Sequence, residues 1–71
     1  MVEVGQCFQI RRGVQIRVVA IETTMFGAKR ARIENLTGKR IGALRWEFAE
    51  YLVQTATPIP DPDMPSQEAQ T

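Results

Sequence analysis

The chain has 71 residues, no histidine and one cysteine, and its formal net charge at pH 7 is +1. This length fits one domain, and the single Cys7 excludes an internal disulfide. A fold of this size buries only about 60% of the surface that its unfolded chain exposes, so a second copy of itself or a ligand often stabilises it. No apolar run approaches the roughly 20 residues of a membrane-spanning helix. The start shows no signal-peptide pattern, so we expect a reducing cytoplasm.

The charges divide the chain into two parts. Residues 1–57 hold nine basic and five acidic groups, a net charge of +4. Residues 58–71 hold three acidic groups and no basic one, a net charge of −3, and four prolines lie among them. Such a composition cannot form a core. The pattern predicts a small domain over 1–57 and a disordered, acidic, proline-rich tail over 58–71 that can visit basic groups of the domain.

Alternation of apolar and polar residues predicts a β-rich domain. A first strand is expected over 4–11, since its period is that of a half-buried strand. Arg12-Gly13 predicts a tight turn, because glycine adopts the positive φ that hairpin turns need. A second strand is expected over 14–23, with a β-bulge near Val18-Val19 that returns its apolar side chains to one interior.

Two more strands follow the loop over 24–27, whose tip carries Met25 and Phe26. The third is expected over 28–36, with Arg30 and Arg32 pointing outward, and the fourth over 39–46. Residues 45–55 fit two patterns. We prefer one helical turn over 47–50 followed by a short strand, and the alternative is a continuous helix over 45–55.

The predicted interior follows from this arrangement. Trp46 is expected to pack in the core, as large aromatic residues of small domains usually do. Cys7 lies among apolar neighbours, which indicates a buried and inert thiol. The expected core residues are Phe8, Ile16, Val18, Ile33, Ile41, Leu44 and Phe48.

The inventory of reactive residues argues against an enzyme. Without histidine the chain lacks the commonest general base and metal ligand. One cysteine and the absence of a carboxylate cluster with metal-loop spacing predict no metal site. No glycine-rich phosphate motif precedes a helix, and we expect no cofactor. Glu47 and Glu50 could share one face of a helical turn, but such pairs are usually only solvated.

Basic residues alternate along two strands that are expected to be neighbours. Their outer side chains would converge on one face of a hairpin, with aromatic residues nearby. Nucleic-acid-binding proteins commonly combine basic side chains, which contact phosphates, with aromatic side chains, on which bases stack. The candidate nucleic-acid-binding residues are Arg17, Lys29, Arg30, Arg32, Lys39, Arg40 and Arg45. We expect charge reversal at Arg30 and Arg32 to abolish binding, with smaller effects at Arg40 and Arg45.

Several short segments resemble the SH3-like small barrels, including those of short phage and mobile-element accessory proteins. The resemblance covers about residues 3–55 and is carried by Gly5-Gln6-Cys7-Phe8, Gly13, the run from Ile16 to Ile21, Ala31-Arg32-Ile33-Glu34-Asn35, Thr37-Gly38-Lys39-Arg40-Ile41 and the run from Phe48 to Leu52. It implies an all-β, five-stranded barrel with one short helical turn. Barrels of this kind bind RNA, DNA or proteins, so the fold does not choose the partner.

A second set of segments is similar to the carbon storage regulator family of small dimeric RNA-binding proteins. Ile16-Arg17-Val18-Val19 and Ala31-Arg32-Ile33 resemble two of its strands, and the run from Ala43 to Phe48 resembles its RNA-contacting strand end. That resemblance implies a role for Arg45. The leading hypothesis is a non-enzymatic accessory or regulatory protein that binds RNA or DNA. The alternative is a protein-interaction module, such as a small inhibitor, adaptor or virion component, that docks on a larger protein.

Overall fold

The computed structural model describes residues 2–63, which form one antiparallel sheet and one helix. The elements are β1 (Cys7–Gln9), β2 (Gln15–Thr23), β3 (Lys29–Asn35), β4 (Leu44–Phe48), α1 (Ala49–Thr55) and β5 (Thr57–Ile59). The strands lie side by side in the order β4-β3-β2-β1-β5. Within residues 2–63, no helix has the length and apolar character that a membrane span requires.

The mostly-β expectation is confirmed, whereas closure into a barrel is not seen. β4 and β5 are the two edges of the sheet, and no pairing joins them. α1 follows β4 directly and leads the chain to β5, which pairs with β1. The helix has seven residues, so the single turn over 47–50 and the continuous helix over 45–55 were both wrong. The last strand, β5, also begins only at Thr57, after α1, and not directly after a turn over 47–50.

The predicted turn before β2 and the predicted bulge within β2 are both confirmed. Arg12 and Gly13 both have positive φ, at 66° and 76°, in the turn that joins β1 to β2. The pairing of β2 with β3 shifts between Val18 and Ala20, so the predicted bulge is present. Val18 and Ile21 both face the interior side of the sheet, while Val19, the extra residue, is exposed. The bulge therefore returns the strand to the core but leaves Val19 outside it.

The core lies between one face of the sheet and α1. Four of the seven predicted core residues are buried there, namely Phe8, Ile16, Val18 and Ile33. Leu52 of α1 is 1% exposed and packs with them, together with Val2 and Ala31. Burial of a leucine of this kind stabilises a fold by about 1.5–3 kcal/mol relative to leaving it in water.

The predictions for β4 were wrong, because a bulge before the strand sets which residues face inward. Gly42, with φ at 87°, and Ala43 together oppose Asn35: the Gly42 N–H donates to the Asn35 carbonyl, and the Asn35 N–H donates to the Ala43 carbonyl. A bulge with a leading glycine of positive φ adds one residue to the strand. β4 consequently begins at Leu44 instead of residue 39. The remaining predicted core residues, Ile41, Leu44 and Phe48, are exposed.

Residues 58–63, which begin the predicted tail, lie against the sheet. Pro58 and Ile59 belong to β5 and pair with β1. Asp61 and Asp63 form ion pairs with Arg17. The folded part of the chain thus includes residues 58–63 of the predicted tail, and residues 64–71 lie outside the described part.

Candidate functional site

The face of the sheet that points away from α1 carries arginine and aromatic side chains side by side. In the β3–β4 ladder, Arg30 lies opposite Phe48, Arg32 opposite Trp46, and Glu34 opposite Leu44. These six residues share one side of the sheet, because side chains alternate along a strand and directly opposed residues point the same way. We call this surface the outer face.

Trp46 is the centre of the outer face. It is 37% exposed, so the expectation that it packs in the core was wrong. The guanidinium carbon of Arg30 lies 5.0 Å from the centroid of its ring, and that of Arg32 lies 5.8 Å away. Both distances fall within the range of a cation–π interaction. The contacts hold two cations and one aromatic ring in a single cluster.

Glu22 of β2 partly neutralises this cluster. Its carboxylate accepts hydrogen bonds from Nε of Arg30, at 2.8 Å, and from Nη2 of the same side chain. Arg32 has no ion-pair partner among residues 2–63. Because Arg32 is also exposed, its charge is the one most open to a ligand on the outer face.

Arg17 lies on the same side of the sheet but is held by the C-terminal segment. Its Nη2 is 2.6 Å from Oδ1 of Asp61 and 2.7 Å from Oδ2 of Asp63. Hydrogen bonding from Arg17, followed by that from the backbone N–H of Asp63, lowers the pKa of Asp61. Burial is the main cause that raises the pKa of the neighbouring Cys7 thiol. Because two carboxylates already neutralise the Arg17 guanidinium, Arg17 has little capacity to bind an external anion.

Arg45 points to the other side of the sheet. It lies opposite Ile33, a core residue, and its Nε is 3.4 Å from Oε2 of Glu47. Its Nη1 also donates a hydrogen bond to Oδ1 of Asn35, at 3.2 Å. Arg45 and Glu47 line a small cavity of about 110 Å³ with residues of α1. Arg45 therefore does not belong to the outer face.

Lys39 and Arg40 lie in the connection between β3 and β4, and Lys29 begins β3. The connection packs against the start of β2: the Leu36 N–H donates to the Gln15 carbonyl, and the Gln15 N–H donates to Oγ1 of Thr37. The turn with Arg11 and Arg12 lies at the same end of the sheet, since it also leads into β2. One end of the molecule is thus surrounded by four basic groups, separate from Trp46: Arg11, Arg12, Lys39 and Arg40. Lys29 lies at the other end of β3.

The exposed apolar residues of the outer face were missed by sequence reasoning. Leu44 is 49% and Phe48 is 54% exposed, and they flank Trp46 along β4. Met25 and Phe26 are each 90% exposed at the tip of the β2–β3 hairpin. For Leu44 and Phe48, the signal in the sequence was the alternation of apolar and charged residues over 44–48. Alternation shows that β4 has one apolar face but not which face meets the core.

Among residues 2–63 no group of three or more acidic or cysteine side chains is placed to hold a metal ion. Comparisons of the chain with protein-family models, with curated proteins and with solved structures gave no match. The resemblances to SH3-like barrels and to the carbon storage regulator family therefore stay predictions.

Proposed function

We propose that this domain is a non-enzymatic accessory or regulatory protein that binds single-stranded nucleic acid, RNA or DNA, on its outer face. The observation that carries the proposal is the exposed Trp46 ring in contact with Arg30 and Arg32. Bases stack on aromatic rings and also on guanidinium planes. The same arginines supply the positive charge that phosphates require.

The row of apolar and aromatic side chains on the outer face favours single strands over duplexes. Leu44, Trp46 and Phe48 lie in one row along β4, beside the row of Arg30 and Arg32 on β3. A row of apolar and aromatic side chains can contact successive unpaired bases, whereas the bases of a duplex are already stacked on each other. Lys29, Lys39 and Arg40, at the two ends of these strands, extend the positive charge along the path of a backbone.

Binding of labelled oligo-dT and oligo-U at two or more salt concentrations tests the proposal. Replacing Arg30 and Arg32 together by glutamine should weaken binding and reduce the slope of log K against log salt by about 1.4, since each phosphate contact on a single strand contributes about 0.7. Glutamine is preferable to glutamate because a glutamate at position 30 would face Glu22. Trp46→Ala should cost about 1–3 kcal/mol of binding free energy if one base stacks there.

The matched control replaces Arg11 and Arg12 by glutamine, which removes the same total charge from the turn before β2. If both double variants lose affinity equally, binding follows net charge and the outer face is not the site. If neither oligonucleotide binds the original protein, the nucleic-acid proposal fails.

Protein docking is the second candidate, and the exposed apolar residues favour it. Phe48 and the hairpin tip with Met25 and Phe26 lie at the same end of the sheet, because Thr23 and Lys29 close that hairpin beside Arg30. Tryptophan and arginine are also common among the residues that dominate protein interfaces. A partner bound through these residues would show little dependence on salt, whereas nucleic acid would show a steep one.

A further inference from the structure

We propose that two copies of this domain pair through their β4 strands, antiparallel and with Trp46 opposite Trp46, to form one continuous sheet. The proposal concerns the free edge of the sheet and does not rest on nucleic-acid binding. Among residues 2–63, β4 pairs only with β3, so its other side has no strand beside it. An open edge of this kind is a template for another strand.

Backbone N–H and C=O groups of β4 point to this open edge, where they can form hydrogen bonds with another strand. The Asn35 N–H donates to the Ala43 carbonyl at 3.0 Å. Hydrogen-bonded pairs recur at every second residue of an antiparallel ladder, so the backbone groups of Arg45 and Glu47 point toward β3. The N–H and C=O groups of Trp46 therefore point to the open edge. Opposite Trp46 of a second copy, they would form two reciprocal hydrogen bonds.

The charges of β4 select this register and a second copy as the occupant. With Trp46 opposite Trp46, Arg45 of each copy lies directly opposite Glu47 of the other, and Leu44 lies opposite Phe48. Opposite charges at directly opposed positions stabilise a strand pair, and like charges destabilise it. The strand is thus complementary to itself about a two-fold axis, which is the requirement for a symmetric dimer.

The neighbouring registers that keep the same hydrogen bonds are unfavourable. A shift in one direction centres the axis on Arg45 and sets the two Arg45 side chains opposite each other. A shift in the other direction does the same for the two Glu47 side chains. Only the register centred on Trp46 pairs each cation with an anion.

The proposed dimer would also join the two outer faces. A two-fold axis perpendicular to the sheet keeps both outer faces on the same side, so the Trp46 rings would be neighbours and Leu44 would meet Phe48 across the seam. These apolar residues, exposed in one copy, would be partly covered in two. Both α1 helices would lie on the opposite side of the sheet.

Sedimentation velocity over a range of protein concentrations tests the proposal through charge exchange. The original protein should dimerise, and Arg45→Glu or Glu47→Arg alone should weaken dimerisation on the order of tenfold or more, because each substitution creates two like-charge contacts. An equimolar mixture of the two single variants should form heterodimers, since every opposed pair then carries opposite charges. Glu50→Arg, on the exposed side of α1, is the charge-matched control and should leave dimerisation unchanged.

Disulfide trapping then reports the register and does not depend on the stability of the charge variants. Arg45→Cys and Glu47→Cys proteins should cross-link to each other when mixed under oxidising conditions, and neither should cross-link to itself. Cys7 is buried and should not compete. A protein that stays monomeric at millimolar concentration, a dimer that resists both charge variants, or self-linking of either cysteine variant would overturn the proposal.

Discussion

At the scale of single residues, a basic side chain is available to an external anion only if no carboxylate of the same chain already pairs with it. Arg17, Arg30 and Arg45 each form an ion pair, with Asp61 and Asp63, with Glu22, and with Glu47 respectively. The outward direction of Arg30 and Arg32 was predictable from alternation in β3. The neutralisation of Arg17 was not, because its partners lie 44 and 46 positions later in the chain.

The contact between Arg17 and Asp61 should make stability fall in acid. The pKa of Asp61 is lower in the folded protein, so the stabilisation is fully present above the ordinary aspartate pKa of about 3.9 and is lost as the pH falls through the lower, folded value. Asp61→Asn should therefore reduce the free energy of unfolding at pH 7 and flatten its decline below about pH 4. Urea unfolding between pH 2 and pH 7 measures both effects.

The matched control for this prediction is the same substitution in an Arg17→Gln background. Without the guanidinium, Asp61→Asn should have a smaller effect on the acid dependence, because only the hydrogen bond from the Asp63 N–H then still lowers the pKa of Asp61. An equal change in both backgrounds would show that Asp61 acts through something other than Arg17.

Leu52 and Phe48 differ in burial, although both lie in the segment 45–55 for which a continuous helix was the alternative. Leu52 is 1% exposed in the core, so Leu52→Ala should cost about 2–5 kcal/mol of unfolding free energy. Phe48 is more than half exposed, so Phe48→Ala should cost under about 1.5 kcal/mol. Urea unfolding of the two variants compares them directly. A larger loss of unfolding free energy for Phe48→Ala would show that Phe48 packs in the core, as predicted from the sequence alone.

At the scale of elements, β2 and β3 were predictable, whereas β4 and β5 were not. β2 and β3 carry enough alternating residues to define their length, and β2 shows its bulge as a change of parity at Val18-Val19. β4 is short, and its phase depends on Gly42 and Ala43, which contain no apolar pattern. The helix was misplaced because residues 45–55 fit both a helical turn followed by a strand and one continuous helix, and neither pattern begins the helix at Ala49.

The glycine at the bulge should be sensitive to substitution for conformational reasons alone. Nothing lies within 4 Å of the position that a Cβ would take at Gly42, but its φ is 87°. Gly42→Ala should destabilise the protein by about 1–2 kcal/mol, and Gly42→Asn by less, because asparagine adopts positive φ more readily. Chemical denaturation of both variants is the measurement. Equal stabilities for the two variants and the original protein would contradict the bulge geometry.

At the scale of the whole molecule, the sequence predicted a β-rich fold but not an open sheet. Closure depends on whether the first and last edges can meet, and that is set by the path of residues 49–56 and by the pairing of β5 with β1. The same path leaves β4 at an edge, with Trp46 and Phe48 on the outer face. The candidate site thus arises from topology, which local patterns do not encode.

We propose the outer face as the surface that binds nucleic acid. The most direct test is a titration of the ¹⁵N-labelled protein with oligo-dT and oligo-U, followed by amide and indole N–H chemical shifts. We predict that the largest changes fall on the Trp46 indole and on the amides of Arg30, Arg32 and Phe48, with small changes along α1. Changes confined to α1 or to the turn with Arg11 and Arg12, or no changes at saturating oligonucleotide, would contradict binding on the outer face.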